Sequence, residues 1–389
     1  MKAPPTTGRA ERRQTPGEAP GTTAATRIER WVRPEIRALG AYPVPDATGL
    51  VKLDAMENPW FWPRELRGHL GERLAAEPLN RYPDPHADAL REILRERMGV
   101  PAGSGLLLGN GSDEIIQMLA LLLGGPGRTI LSLEPGFVMY RMISLFAGSR
   151  YLGLDLTPER FDIDLEALLD AIERERPALV FLACPNNPTG NLFAPAAVEA
   201  VLRAAPGVVV VDEAYSPFTD RSLLPRLPEF PNLLLMRTFS KMGLAGLRLG
   251  WIAGAPEWIA ELDKVRLPYN INRLTQTAAH LALEHLDLFA QQTRAIREQR
   301  GRLFQALSRR PGLRVWPSEA NFLLFRAPDG PGLFTRLRDH GVLLKNLHGA
   351  HPLLRDCLRV TVGTPEENQT FMRALDLCLS GAESSLNTL

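Results

Sequence analysis

Residues 208–215 read VVVVDEAY, and this stretch decides the fold of the chain. Four consecutive valines form an apolar run that lacks the alternation of a strand with one exposed face. Such a run is typical of a central strand in a mostly parallel sheet that helices cover on both faces. Ligands of these sheets bind at the carboxyl ends of the strands. Because Asp212 follows the valines directly, the sequence predicts a carboxylate at the ligand-binding edge.

Similar apolar runs recur along the chain. Between residues 128 and 268 they alternate with amphipathic stretches, a βαβ rhythm that predicts an α/β domain. The expected strands of this domain lie at 129–133, 179–183, 208–211, 233–236 and 249–253. After residue 268 the pattern predicts a smaller α+β domain, with a long helical segment and then three short strands at 274–308, 321–325, 342–345 and 358–362.

Composition also divides the chain. Residues 1–27 are rich in Pro, Gly, Thr, Ala and Arg without an apolar segment, so we expect a disordered tail and no secretory signal. Residues 28–75 are expected to form an N-terminal arm and part of the small domain. The large domain is expected over 76–270, and the rest of the small domain over 271–389.

Charge and cysteine content exclude several classes of protein. Lys and Arg number 45 against 44 Asp and Glu, so no global field favours nucleic acid or an anionic membrane. No apolar run is long enough to span a bilayer.

The three cysteines are far apart, and we interpret them as core thiols of a cytoplasmic protein. His348 and His351 lie in a loop without the spacing of a helical metal site, so no metal is expected.

Residues 237–250 read RTFSKMGLAGLRLG and place one lysine in a glycine-punctuated loop. In the sequence, Lys241 lies between the hydroxyl of Ser240 and the guanidinium of Arg248, an arrangement that suits an amine held in a Schiff base. An aldehyde cofactor with a phosphate needs a nucleophilic amine, phosphate donors and close backbone approach in one place. We therefore expect such a cofactor at this loop.

Two other strand ends carry groups that suit the ring of such a cofactor. A carboxylate at the end of a buried strand is costly unless a cation or a proton meets it, and a pyridinium nitrogen would meet Asp212. Tyr215 and Asn187, the latter in CPNNPTG at 184–190, are placed to reach a phenolic oxygen. Taken separately, these motifs are explained equally by an N-cap and a tight turn. Together with Lys241 they indicate one site.

The sequence GNGSDE at 109–114 opens the amphipathic stretch 115–123. A glycine-rich turn before a helix presents free backbone amides to a phosphate, and Ser112 can cap the helix or donate to the ligand. An ordinary capped helix start is the alternative, because Asp113 and Glu114 also suit the helix dipole.

These motifs, CPNNPTG, DEAY, SKMGLAGLRLG and GNGSDE, resemble those of the fold-type-I, class II aminotransferases that use pyridoxal 5'-phosphate (PLP), over about residues 32–368. Other segments are similar to histidinol-phosphate aminotransferases in particular: VRPEI at 32–36, LDAMENP at 53–59, NRYPD at 80–84, SEANF at 318–322 and CLRVTVG at 357–363. The resemblance implies an α/β fold, with a mostly parallel seven-stranded sheet covered by helices and a smaller α+β domain.

The resemblance also implies roles in cofactor binding. Lys241 would form the internal aldimine, and Asp212 would pair with the ring nitrogen. Asn187 and Tyr215 would bond the phenolic oxygen, and Phe137 would stack on the ring where many relatives have tyrosine. The phosphate would be bound by five residues, the last from the other subunit of a homodimer: Ser112, the backbone of Asp113, Ser240, Arg248 and Tyr82.

For the substrate, the resemblance implies that Arg359 binds a carboxylate as a fork. Lys345 stands where many relatives have an arginine for the substrate phosphate, and it supplies charge without the bidentate geometry. Tyr42 and Tyr140 are candidates for further contacts to that phosphate and equally for interface or core aromatics. Asn58, within LDAMENP, is another candidate for substrate binding.

The implied activity is reversible amino transfer between L-histidinol phosphate and 2-oxoglutarate, giving imidazole acetol phosphate and glutamate, in histidine biosynthesis. An aromatic amino-acid aminotransferase, or a decarboxylase of a phosphorylated amino acid, is the alternative on the same fold. A non-catalytic, PLP-sensing regulator is less consistent with the chain, because residues 1–26 are too few for a DNA-binding domain with its own core.

Overall fold

The computed structural model describes residues 23–41 and 43–386, the side chains of 381–386 excepted. The chain divides into two compact units, Met1–Val44 and Pro45–Leu389. The first unit carries helices α1 (Ala24–Trp31) and α2 (Pro34–Arg37). Residues 24–27 were expected in the tail but are helical, because Thr23 caps α1 by accepting a hydrogen bond from the amide of Thr26. The rest of the expected tail, 1–22, lies outside the described residues.

The second unit contains the remaining helices and all of the strands described below. Its helices are α3 (Arg64–Ala75), α4 (Asp88–Met98), α5 (Ser112–Leu123), α6 (Val138–Phe146), α7 (Leu165–Glu175), α8 (Pro195–Ala204), α9 (Pro256–Asp263), α10 (Arg273–Glu284), α11 (Leu286–Ser308), α12 (Gly330–Asp339) and α13 (Pro365–Leu386). Its strands are β1 (Val51–Lys52), β2 (Gly105–Gly109), β3 (Thr129–Glu134), β4 (Arg150–Asp155), β5 (Leu179–Ala183), β6 (Val208–Asp212), β7 (Leu233–Thr238), β8 (Gly250–Gly254), β9 (Arg314–Val315), β10 (Phe322–Arg326), β11 (Val342–Leu343), β12 (Lys345–Asn346) and β13 (Cys357–Thr361).

The large sheet has seven strands in the order β2-β8-β7-β6-β5-β3-β4. Strand β8 runs antiparallel to both of its neighbours, and all other neighbouring strands are parallel. This confirms the expected mostly parallel, seven-stranded sheet. Strands β5, β6 and β7 are adjacent, so their carboxyl ends, and the loops that follow them, meet at one edge.

Helices cover both faces of this sheet, as the valine run predicts. Val209 and Val211 pack into an apolar cluster with residues of α4, α7, α8 and α10. Val208 and Val210 point to the other face and pack with residues of α5, α6 and α9. Because successive residues of β6 are buried on opposite faces, the strand has no solvent-exposed side, and its only polar end is at Asp212.

A smaller antiparallel sheet, in the order β12-β13-β10-β9, follows in the chain, and β1 pairs in parallel with β11. Helices α11, α12 and α13 pack into its apolar cluster. The expected strand at 342–345 is two strands in different sheets, separated by Leu344. The expected helix at 274–308 is also interrupted, at His285. Helix α10 and Phe289 of α11 pack in the large-sheet cluster, whereas Ile296 and Leu303 of α11 belong to the small-sheet cluster.

Within the described residues, every helix is too short or too polar to cross a membrane.

A buried ion pair fixes the ends of β6 and β7. The side chain of Glu213 is 3% exposed, and one of its carboxylate oxygens accepts bonds of 3.0 and 2.7 Å from Nε and Nη2 of Arg237. The other oxygen accepts a bond of 2.7 Å from the amide of Leu223, and Ser222 Oγ donates to the carboxylate at 2.8 Å. These four bonds satisfy a charge that would otherwise be costly to bury.

Replacing Arg237 by methionine leaves the Glu213 carboxylate buried without its cation. We expect Arg237→Met to lower the free energy of unfolding by about 3–5 kcal/mol, measured by chemical denaturation. The matched control is Arg302→Met, because Arg302 lies on α11 with its side chain 67% exposed and an exposed partner. A loss for Arg237→Met no larger than that of the control would contradict the role of this pair.

Candidate active site

The loops after β5, β6 and β7 surround a cavity of about 220 Å³. The sheet order places these loops side by side, and the start of α5, the segment after β3 and residues 55–57 complete the walls. Nine of the residues predicted to bind a cofactor line this cavity: Ser112, Asp113, Phe137, Asn187, Asp212, Tyr215, Ser240, Lys241 and Arg248. Motifs that are far apart in the sequence therefore form one site.

Asp212 is a buried carboxylate at the floor of the cavity. Burial raises the pKa of its carboxyl to about 6, while hydrogen bonds from Tyr140 and from the amide of Ala214 lower it. The Tyr140 hydroxyl donates to Oδ2 at 2.6 Å, and the Ala214 amide donates to Oδ1 at 3.0 Å. These donors favour the ionised form but do not offset burial completely. A cationic group of a ligand would supply the remaining stabilisation.

Tyr140 takes the second of the two roles considered for it, that of a core aromatic. It was a candidate for contact with a substrate phosphate, but it is 2% exposed and its hydroxyl is bonded to Asp212. Its ring stacks in parallel on Phe181 at 4.5 Å and meets Phe137 edge-on at 5.5 Å. The substrate-binding role is therefore replaced by a role in positioning Asp212. The sequence did hold one signal for this position: Tyr140 lies one helical turn after Phe137, the predicted stacking residue.

Lys241 has the properties of a reactive amine. Burial, together with the positive charge of Arg359, lowers its pKa to about 8. Its Nζ lies 5.9 Å from the centre of the Tyr215 ring and 3.5 Å from the carbonyl oxygen of Ala55. The lowered pKa increases the fraction of the amine that is neutral near physiological pH, and the neutral form is the one that a nucleophile or proton acceptor requires.

A chain of hydrogen bonds connects Tyr215 to Arg359. Asn187 Nδ2 donates to the Tyr215 hydroxyl at 3.1 Å, and Asn187 Oδ1 accepts from Arg359 Nη1 at 2.5 Å. Arg359 Nη2 donates to the carbonyl oxygen of Asp54 at 2.9 Å, and its guanidinium lies 5.2 Å from the centre of the Phe322 ring. Asn187 therefore orients a phenol and a guanidinium at once. The Asp54 carbonyl was not predicted, since backbone acceptors leave no mark in a sequence.

The turn before α5 forms a cradle with Arg248. Arg248 Nη1 lies 3.4 Å from Ser240 Oγ, and Nη2 lies 3.4 Å from a carboxylate oxygen of Asp113. A Cβ on Gly111, whose φ is +84°, would lie 2.7 Å from Arg248 Nη2, and one on Gly250 would lie 2.8 Å from the amide nitrogen of Ser112. Glycine is required at both places. Amides at a helix N-terminus, a hydroxyl and a guanidinium are the donors that suit a phosphate.

Four other predicted residues remain: three do not line this cavity, and one lies outside the described residues. Tyr82 is 77% exposed and stacks on Tyr269 with ring centres 4.5 Å apart. Lys345 lies directly opposite Arg359 in the pairing of β12 with β13, so the two side chains project from the same face of the small sheet. Tyr42 lies outside the described residues.

Asn58, the fourth, holds the segment that follows Lys241. Its amide nitrogen donates to the Met242 carbonyl at 2.8 Å and to Gln292 at 2.9 Å, and its oxygen accepts from the Trp60 amide at 2.9 Å. The side chain is thus engaged within the protein instead of facing the cavity, where we expected it to bind substrate. Among the described residues, no cluster of His, Cys, Asp and Glu could hold a metal ion.

Comparison with known proteins gives the family. The model of the family "Aminotransferase class I and II" matches residues 49–375. "Histidinol-phosphate aminotransferase 1" of Ralstonia nicotianae is 55% identical, covering 89% of this chain and 94% of the relative. The histidinol-phosphate aminotransferase of Chromobacterium violaceum is 52% identical, covering 90% and 98%. The structure of histidinol-phosphate aminotransferase from Sinorhizobium meliloti in complex with pyridoxal-5'-phosphate has a TM-score of 0.80 at 26% identity, covering 90% of this chain and 97% of that one. The chain belongs to the class I and II aminotransferases.

Proposed function

We propose that this protein is a histidinol-phosphate aminotransferase, which transfers an amino group between L-histidinol phosphate and 2-oxoglutarate with PLP as cofactor. The reaction class rests on one observation: a buried carboxylate, an amine of lowered pKa and a phosphate cradle converge on one cavity. The substrate follows from relatives of that name, which are 50–55% identical over about 90% of the chain.

The lining residues fit PLP. Asp212 provides a carboxylate for the ring nitrogen, Lys241 an amine for the aldehyde, and Asn187 and Tyr215 polar groups for the phenolic oxygen. Phe137 provides an aromatic face for the ring. Bound PLP supplies an electron sink that stabilises negative charge on the substrate carbon that bears the amino group. The phosphate is assigned to the cradle of Ser112, the Asp113 backbone, Ser240 and Arg248.

Lys241 is the proton carrier of the reaction. Its Nζ would accept the proton from the substrate carbon that bears the amino group and would deliver it to the cofactor carbon that takes the amino group. Because its pKa lies near 8, the proton-accepting fraction increases with pH through this value. The nearby guanidinium of Arg359 contributes to the lowered pKa, so the residue that binds a carboxylate also helps to keep the amine neutral.

Arg359 and Lys345 divide the recognition of two anionic substrates. Arg359 is buried and held by Asn187 and the Asp54 carbonyl, so its guanidinium is pre-oriented for the carboxylate of glutamate. Lys345 projects from the same face one strand away and provides a compact charge for the phosphate of histidinol phosphate. The carboxylate of one substrate and the phosphate ester of the other thus meet different cations.

The proposal also includes a homodimer and the boundaries of the two domains. The proposed protein is a cytoplasmic homodimer in which Tyr82 reaches the phosphate in the partner's site, and the exposure of Tyr82 is consistent with this contact. The large domain spans 76–270 and the small domain 271–389 with part of the arm at 28–75. In support of these limits, the strands of the large sheet fall between 105 and 254, and those of the four-stranded sheet between 314 and 361.

The first test is a specificity profile of the PLP-loaded enzyme. With 2-oxoglutarate as acceptor, histidinol phosphate should be the preferred donor over phenylalanine, and no carbon dioxide should be released. Lys241→Ala should lose both the activity and the visible absorbance of the bound cofactor while its circular dichroism is unchanged. Lys264→Ala, at a lysine whose side chain is 65% exposed, is the matched control. Little or no turnover of histidinol phosphate would refute the proposed substrate.

A second test separates the two cations. Arg359→Lys should raise KM for glutamate about tenfold or more, because one charge-assisted bond is worth about 1.5–3 kcal/mol. Its effect on histidinol phosphate should be smaller. Lys345→Met should show the opposite order. Steady-state kinetics of both half-reactions measure this, and equal losses for the two substrates in both variants would contradict the assignment.

A further inference from the structure

A second cavity, of about 430 Å³, lies on the other side of the Lys241 segment. Ser240 and Lys241 face the active-site cavity, whereas Phe239 and Met242 line the second one. Only Thr238 contributes to both. Residues 238–242 are therefore a wall between two separate spaces, and nothing in the proposed reaction uses the second space.

One face of α11 forms a long side of this cavity. The residues that it contributes are spaced by three or four positions, as expected for a single helical face: Leu286, Phe289, Ala290, Thr293, Arg294 and Arg297. The face is apolar near the start of the helix and cationic two turns later. Trp251, Phe239 and Met242 extend the apolar end from the opposite wall.

The polar end of the cavity has a surplus of positive charge. Arg297 is paired with Asp220 at 2.7 Å, and Arg237 is paired with the buried Glu213. Asp220 is the single acidic residue in the lining. Among the side chains that the structure describes, neither Arg221 nor Arg294 makes an ion pair or a side-chain hydrogen bond. Two guanidinium groups thus border an apolar pocket without a carboxylate to neutralise them.

We infer that this cavity binds an aromatic carboxylate. The volume lies within the range of about 300–1,000 Å³ that is usual for small-molecule sites. The apolar end, with Trp251, Phe289 and Met242, accepts a flat ring, and the guanidinium fork of Arg294 or Arg221 suits a carboxylate. The N-terminal segment 1–22 is a poor occupant, because it carries four Lys and Arg against two Glu and would meet a cationic rim.

The probe is 1-naphthoate, titrated calorimetrically into the PLP-loaded wild-type protein. Saturable binding is expected, with affinity at least about tenfold lower in the double variant Arg221→Gln/Arg294→Gln, since each charge-assisted contact contributes about 1.5–3 kcal/mol. Both arginines are exposed, so the fold should tolerate the change. Arg302→Gln, on the same helix but outside the cavity, should bind as the wild type does. The neutral analogue 1-naphthamide should bind at least about tenfold more weakly than 1-naphthoate.

Binding in the active site is the competing outcome, because Arg359 also suits a carboxylate. If 1-naphthoate binds in the second cavity, Arg359→Lys should leave its affinity unchanged, and 1-naphthoate should not raise KM for 2-oxoglutarate. Absence of saturable binding would overturn the inference. A loss of affinity for 1-naphthoate in Arg359→Lys but not in the double variant would also overturn it. The same holds if Arg302→Gln loses as much affinity as the double variant. The binding measurements do not require turnover, so they can fail without affecting the proposed reaction.

Discussion

The rest of the site depends on the buried carboxylate of Asp212 at the end of β6. Ionising a carboxyl group in this place is costly, and the bonds from Tyr140 and Ala214 still leave its pKa at about 6. Because this value lies above the ordinary 3.8, the carboxyl destabilises the folded apoprotein as pH rises through that interval. In the proposed function, a protonated ring nitrogen of PLP would remove this penalty, so the same interaction would bind the cofactor and keep its ring an electron sink.

The order of the strands brings the other residues of the site to Asp212. Since β5, β6 and β7 are neighbours, Asn187, Asp212 and Lys241 meet at one edge although 54 residues separate the first from the last. The small sheet contributes Arg359, and the bonds of Asn187 connect this guanidinium to the phenol of Tyr215. Arg359 also lowers the pKa of Lys241. In the proposed function, cofactor binding, substrate binding and proton transfer would therefore share a small set of contacts.

The predictions from sequence succeeded where the signal is local and failed where it depends on packing. The valine run specified β6 and its burial, and the glycine-rich motifs specified two turns, because a turn chemistry or a continuous apolar run needs no distant partner. The cradle itself depends on packing, since Arg248 and Asp113 are 135 residues apart. The hydrogen bond from Tyr140 to Asp212 depends on how α6 packs against the sheet, and the bonds of Asn58 depend on a loop 184 residues away. Likewise, α11 changes its packing partner between Phe289 and Ile296, from the large-sheet cluster to the small-sheet cluster, which helical periodicity does not record.

The pKa of the Asp212 carboxyl, measured by 13C NMR on apoprotein labelled at the aspartate carboxyl carbons, tests the account most directly. Resonance assignment follows from Asp212→Asn. The account predicts a pKa of about 6 in the apoprotein, a higher value in Tyr140→Phe because a donor is lost, and an ionised carboxylate throughout the titration once PLP is bound. An ordinary value near 3.8 in the apoprotein, or a pKa that neither Tyr140→Phe nor PLP changes, would contradict it.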